Sequence, residues 1–194
     1  MEYRYYEIPA GSPVLALLGD KWVQNYGRDI DYLHFHNHLE VGFCYYGEGT
    51  VTFKEDIPFD GNMFTVIPKN FPHTTTSAGD SVSYWEWLFI DADKFLREVY
   101  KDNPRMAQKV LDRVNRRAHF VRVQDKPQIG ALVQQIIGCM RERKEFYLEE
   151  VKGLTLALLL QVARWNREEA EKTEFEAGNS SLITPAIDYI SECC

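Results

Sequence analysis

Three imidazoles and one carboxylate are the side chains of this sequence best placed to do chemistry together. His34, His36 and Glu40 fall in one short stretch, and His73 closes a second, Pro68-Lys69-Asn70-Phe71-Pro72. Along an extended strand every second residue shares a face, so positions 34, 36, 38 and 40 would project together. Unprotonated imidazole nitrogens and a carboxylate oxygen are ligands for Zn, Ni, Fe or Mn, and the same groups without a metal can fix the hydroxyls of a polar ligand. The plainer alternative is a set of polar barrel residues that hydrogen-bond one another. Metal binding, catalysis and polar-ligand recognition all remain open on these residues alone.

An aromatic set accompanies them. Tyr45, Trp85 and Trp87 offer flat faces to the C–H side of a sugar or similar molecule, and Glu86 offers an acceptor for its hydroxyls. Strand alternation puts Trp85 and Trp87 on one face and Glu86 on the other, so one set must pack away from any shared lumen.

The elements that position these residues follow from periodicity. From 30 to 123 the pattern is of short strands, Glu40–Tyr46, Thr50–Lys54, Asn62–Ile67, Ser83–Ile90 and Ala118–Val123, which predicts a sandwich or barrel. Gly47-Glu48-Gly49 and Asp60-Gly61-Asn62 supply positive-φ positions for hairpin turns. Short helices are predicted near 92–112: Ala92–Lys101, and a second opened by Asn103 as N-cap with Pro104 at its first position. After Val123 the period becomes helical. Ile129, Leu132, Val133, Ile136, Ile137 and Met140 mark one face of a helix over Asp125–Phe146, which Asp125 and Gln128 would open as a capping box.

A second helix, Leu148–Arg167, carries the stripe Leu148, Val151, Thr155, Leu158, Val162 and Trp165, widened by Leu154, Leu156, Leu159 and Leu160. That much apolar surface predicts an antiparallel pair over 124–168 that packs on the barrel and also forms a homodimer. Residues 1–29 read as an N-terminal arm or edge strand, whose Tyr3, Tyr5, Tyr6 and Ile8 could fold over the barrel mouth. The acidic and small residues of 169–181 read as a linker, and 182–194 as the start of a truncated further domain.

Composition narrows the class. The chain has 194 residues, 45% hydrophobic and 13% aromatic, with 22 basic against 29 acidic residues and a net charge of -7. An acidic balance argues against this segment wrapping nucleic acid itself. The basic residues between Lys94 and Arg122 read as a solvated helix face. The first residues lack the basic and apolar regions of a signal peptide, the cysteines at 44, 139, 193 and 194 form no scaffold, and the apolar run Leu154–Ala163 is too short for a bilayer; a cytoplasmic protein without a membrane partner is expected. No Ser-His-Asp, Walker-type or GxGxxG pattern offers another catalytic route.

Taken together, these motifs resemble known ones. Gly27, His34, His36, Glu40 and Gly47 resemble the first cupin motif, with one extra residue in the first gap. Gly61, Pro68, Asn70 and His73 resemble the second, with Asn where that motif has Gly and again one extra residue. Glu40–Gly49, Gly61–His73, Trp85–Asp91, Leu158–Arg164 and Ile183–Ile190 are similar to segments of AraC-type transcription regulators.

The resemblance implies a mainly β fold with α: a cupin-like double-stranded β-helix, or jelly-roll, barrel followed by a two-helix dimerisation subdomain. It implies a small polar effector, often a sugar, held by His34, His36, Glu40, His73, Tyr45, Trp85 and Trp87. It further implies that DNA is bound only through a C-terminal helix-turn-helix domain, with no cofactor required and no enzymatic activity. The rival is a metal-dependent cupin enzyme, a dioxygenase or sugar isomerase, using His34, His36, Glu40 and His73 as ligands.

Overall fold

The computed structural model describes residues 1–172, so most of the expected linker and all of 182–194 lie outside the described residues. The chain is mainly β with helices following. Its strands are β1 Glu2–Arg4, β2 Val14–Leu17, β3 Val23–Gln24, β4 His34–His36, β5 Leu39–Tyr46, β6 Gly49–Thr52, β7 Asp56–Phe59, β8 Met63–Val66, β9 Thr74–Ser77, β10 Ser83–Ile90 and β11 His119–Arg122. The larger sheet runs β11-β8-β5-β10-β2, with β3 also on β10; the smaller runs β7-β6-β9; all these pairings are antiparallel. β1 and β4 form a separate parallel pair.

The two glycine-rich turns are corners rather than the expected hairpins. After Tyr46 the chain leaves the larger sheet for the smaller, and after Phe59 it returns, because β5 and β6 do not pair and neither do β7 and β8. Positive φ is required at both corners, 105° at Gly47 and 94° at Gly61. A Cβ on Gly47 would sit 2.6 Å from the Cα of Ser83, which fixes glycine there on packing grounds as well.

The faces of the central strands divide the core. On β10, Trp85, Trp87 and Phe89 join Cys44, Val51, Phe59 and Met63 in an aromatic cluster between the sheets. Leu88 and Ile90 face the other way and join Leu39, Val41, Phe43, Phe64 and Val66 under the helices. Those helices are α1 Ala92–Val99, α2 Pro104–Val114, α3 Pro127–Glu142 and α4 Tyr147–Lys172. Asp91 caps α1 through the amide of Lys94, and Asn103 caps α2 through that of Met106 with Pro104 behind it, as its sequence predicts.

Two boundaries differ from expectation. A short 3-10 turn over Val123–Asp125 takes Asp125, so α3 starts at Pro127 with no side-chain cap and the Asp125/Gln128 box does not form. At the far end α4 continues to Lys172, past the expected start of a linker at 169. No helix among the described residues is long and apolar enough to cross a membrane.

Candidate functional site

The His/Glu cluster is assembled by backbone pairing from three places in the chain. His34 and His73 exchange both of their backbone hydrogen bonds, each 2.9 Å, and this brings the two rings to 4.3 Å between centroids. Glu40 exchanges backbone bonds with Ile67 at 2.9 and 2.8 Å, and the amide of Asn70 donates to the carbonyl of His36 at 2.8 Å. Ligand atoms of His34, His36, Glu40 and His73 consequently lie within 4.8 Å of one another. His38 is not among them. The strand breaks at residues 37 and 38, and His38 turns its Nε2 to the backbone carbonyl of Tyr6 at 2.9 Å.

The tautomers are set by backbone acceptors. A carbonyl only accepts, so His36 donates Nδ1–H to the carbonyl of His38 at 2.8 Å, and His73 donates Nδ1–H to that of Phe71 at 2.9 Å. Each neutral ring then holds its lone pair on Nε2, which faces Glu40: 3.0 Å from His36 to Oε2 and 3.5 Å from His73 to Oε1. His36 Nε2, His73 Nε2 and Glu40 Oε1 are buried without a hydrogen-bond partner. Burial pushes the Glu40 carboxyl up, but positive charge and N–H donation from His36 and His73, once a ring takes a second proton, outweigh it and hold the group below the usual carboxylate range. Burial and the neighbouring His73 push His34 down to about 3.

Lone pairs and an anion that meet without donors call for a cation, a proton or incoming hydroxyls. The donor set suits a divalent metal, with carbonyl-oriented imidazoles of the kind that back a metal ligand. His34, His36, Glu40 and His73 would hold it.

A cavity of about 360 Å³ opens over the cluster. Of the sequence candidates, His34, Glu40, His73 and Trp87 line it. His36 is fully buried behind Glu40. Trp85 is also fully buried: it stacks on Trp87 at 4.9 Å and 7°, with Phe59 against its edge, so it backs the cavity wall without reaching the lumen. Tyr45 is misplaced by the sequence reading. It lies an odd number of residues from Glu40 on the same strand, hence on the opposite face, where its hydroxyl donates to Glu86 at 2.6 Å.

Several lining residues carry no motif. Arg4, Tyr6, Trp22, Tyr26, Arg28 and Phe89 complete the wall. Tyr6 is brought in by the N-terminal segment, which is at once an edge strand and a wall: β1 pairs with β4, and beyond it the Tyr6 amide donates to Asn37 Oδ1 at 2.9 Å while Asn37 Nδ2 donates back to the Tyr6 carbonyl at 3.0 Å. The Tyr6 ring stacks on Phe89 at 3.8 Å and meets His36 edge-on at 6.1 Å. Gly42, opposite Trp87, makes room for the indole: a Cβ there would lie 2.4 Å from it.

Behind the sheet, Glu86 is fully buried and fully bonded. It accepts from the amide of Gly19 at 2.8 Å, Tyr45 at 2.6 Å, Tyr84 at 2.8 Å and Arg141 of α3. Burial raises its pKa, but these donors outweigh burial and leave it lowered. Held against this anion, the Tyr45 and Tyr84 hydroxyls are pushed up to about 12, with burial the largest cause.

The predicted dimer stripe is spent inside the chain. Val151, Thr155, Leu158 and Val162 are fully buried and Trp165 is 5% exposed, packed with α2 and α3 in the helix-side core; Leu148 is half-buried. Four helices share the apolar layer, so the fully buried residues of the stripe face neighbours in the same chain, while Leu154, Leu156 and Leu160 beside it stay half-buried.

No family model matches the sequence, and no curated protein matches it. Solved structures do. The chain is similar to apo ToxT, a point variant, from Vibrio cholerae strain SCE256, at 14% identity over 80% of this chain and 58% of that one, with a TM-score of 0.51. Unsaturated fatty acid bound wild-type ToxT from the same strain matches at 12% identity over 78% and 55%, with a TM-score of 0.40. The AraC-like transcriptional activator CuxR matches at 14% over 68% and 42%, with a TM-score of 0.40. The chain thus shares its fold with part of ToxT and spans about half the length of the structures it matches.

Proposed function

We propose that this chain is the effector-sensing part of an AraC-type transcription regulator, acting in the cytoplasm, with its two sheets forming the small barrel of the cupin type. The observation that carries the reading is an aromatic-walled cavity set over unpartnered buried acceptors, one wall of which is Tyr6 from the N-terminal segment. A small polar effector would satisfy Glu40 and His73 with its hydroxyls and stack on Trp87 and Phe89. Because Tyr6 and Trp22 sit on segments tied to β4 and to Glu86 rather than within the sheets, an occupant that prefers one placement of them would shift the chain between two arrangements. DNA would be read by residues outside those described, through a helix-turn-helix domain of the whole protein.

The unpartnered Nε2 and carboxylate atoms also support a second reading, a metal-dependent dioxygenase or sugar isomerase. The metal would supply Lewis acidity at the cluster, and the chain would supply the ligands, the dry wall of Trp87 and Phe89, and the orientation of both imidazoles through backbone carbonyls.

One experiment separates the two: elemental analysis of the purified chain, followed by thermal-shift screening of a polar-metabolite library with and without chelator. Stabilisation by one compound class without turnover supports the sensor. Stoichiometric metal together with turnover of the bound compound supports the enzyme.

A further inference from the structure

The cavity is chemically polarised from floor to rim. Its floor is made of acceptors: Glu40 Oε1 and His73 Nε2 line it, buried and without a hydrogen-bond partner, with His36 Nε2 in the same state behind Glu40. A ligand carboxylate placed there would meet the Glu40 anion, whereas ligand hydroxyls would donate to these atoms or ligate a metal they hold. The rim is made of donors and cations. Arg4 and Arg28 both border the cavity. Arg4 is neutralised by Glu2 at 2.9 Å, but Arg28 is exposed and has no ion-pair partner among the described residues. Between floor and rim the walls are flat and aromatic, from Trp22, Tyr26, Trp87 and Phe89, with the Tyr26 hydroxyl spent on the Trp22 carbonyl at 2.7 Å.

We infer that the effector is a polyhydroxylated carboxylate, a sugar acid, bound with its hydroxyls down on Glu40 and His73 and its carboxylate up at Arg28. This deepens the sensing reading and rests on it. A guanidinium is suited to a carboxylate because its N–H groups form a fork that matches the two oxygens. Stacked aromatic faces suit a ring bearing axial C–H groups, and only donors can satisfy the floor.

The test is a titration of intrinsic tryptophan fluorescence in the purified chain, backed by thermal shift, with matched pairs: galacturonate and galactose, glucuronate and glucose, gluconate and sorbitol. In at least one pair the acid binds more than about tenfold tighter than its neutral partner. In Arg28→Gln that preference falls to less than about threefold while the neutral sugar's affinity is kept. Arg28 is exposed, so this variant folds as the parent does, and its melting temperature checks that. Equal or tighter binding of the neutral member in every pair overturns the inference, as does an acid preference unchanged in Arg28→Gln. Binding of oleate alone overturns the hydroxyl half of it. A wider library that yields a different ligand defeats the inference and leaves the sensing reading standing; a library that yields none defeats both.

Discussion

Two buried glutamates on neighbouring strands of one sheet have opposite surroundings. Glu86 on β10 faces the helices and accepts from a backbone amide, two tyrosine hydroxyls and an arginine. Glu40 on β5 faces the lumen, where its neighbours are imidazole lone pairs and one of its oxygens has no partner. Each is nearly inaccessible, Glu86 at 0% and Glu40 at 3% exposure. Burial alone does not distinguish them; satisfaction does. A buried carboxylate with every lone pair occupied ties elements together, here the loop at Gly19, β5, β10 and α3. One left with open lone pairs beside open imidazoles holds a place for something else.

The sharpest way to extend the comparison is to create a third buried carboxylate with no donor at all. Leu158 is fully buried among helix-side residues, and Leu158→Glu should cost at least about 4 kcal/mol, reading out as loss of the folded far-UV signal. A variant that stays folded and merely changes mass in light scattering would return this stripe to a dimer interface.

Glu86→Ala should come next, at about 3 kcal/mol in urea unfolding, because the hydroxyls of Tyr45 and Tyr84 and the Gly19 amide lose their acceptor while the half-exposed Arg141 can turn to water. Glu40→Gln breaks the symmetry from the other side. The amide keeps one acceptor and offers an N–H to an imidazole lone pair, so stability should change by no more than about 1 kcal/mol while ligand or metal binding is lost. Equal destabilisation by the two glutamate variants would erase the distinction.

These contrasts were partly legible in the sequence. His34, His36, Glu40 and His73 were found because they sit in motifs on or beside strands, where spacing maps onto a shared face. His38 departs because the chain breaks its extended run at Asn37, which spends its side chain on Tyr6. The even-to-odd step from Glu40 to Tyr45 already carries the information that Tyr45 faces the helices, and alternation likewise separates Glu86 from Trp85 and Trp87. Arg4, Tyr6, Trp22, Tyr26 and Arg28 could not be found so. They lie where strands run two to four residues, too short to show a period, and reach the cavity through long-range pairing with β4 and β10. Helix α4 shows the converse limit. Periodicity reveals that a face is apolar but does not say whether its cover is α2 and α3 or another copy.

The smallest expected effect is one of pH. The donors around Glu86 leave its folded pKa below the 4.5 of an ordinary glutamate. Its contribution is therefore complete above the unfolded value and fades as pH falls through the lower folded value. The stability difference between the parent chain and Glu86→Gln should accordingly be constant near neutrality and shrink below about pH 4.5 in urea titrations.

The most direct test of the central claim, that the lumen cluster is a ligand site, is a comparison of tryptophan fluorescence in the parent chain and Glu40→Gln during titration with the compounds that stabilise the parent. Trp22 and Trp87 line the cavity and report its occupant. Saturable quenching in the parent that disappears in a folded Glu40→Gln is the predicted result; quenching of the same strength in both proteins would place the ligand elsewhere and contradict the account.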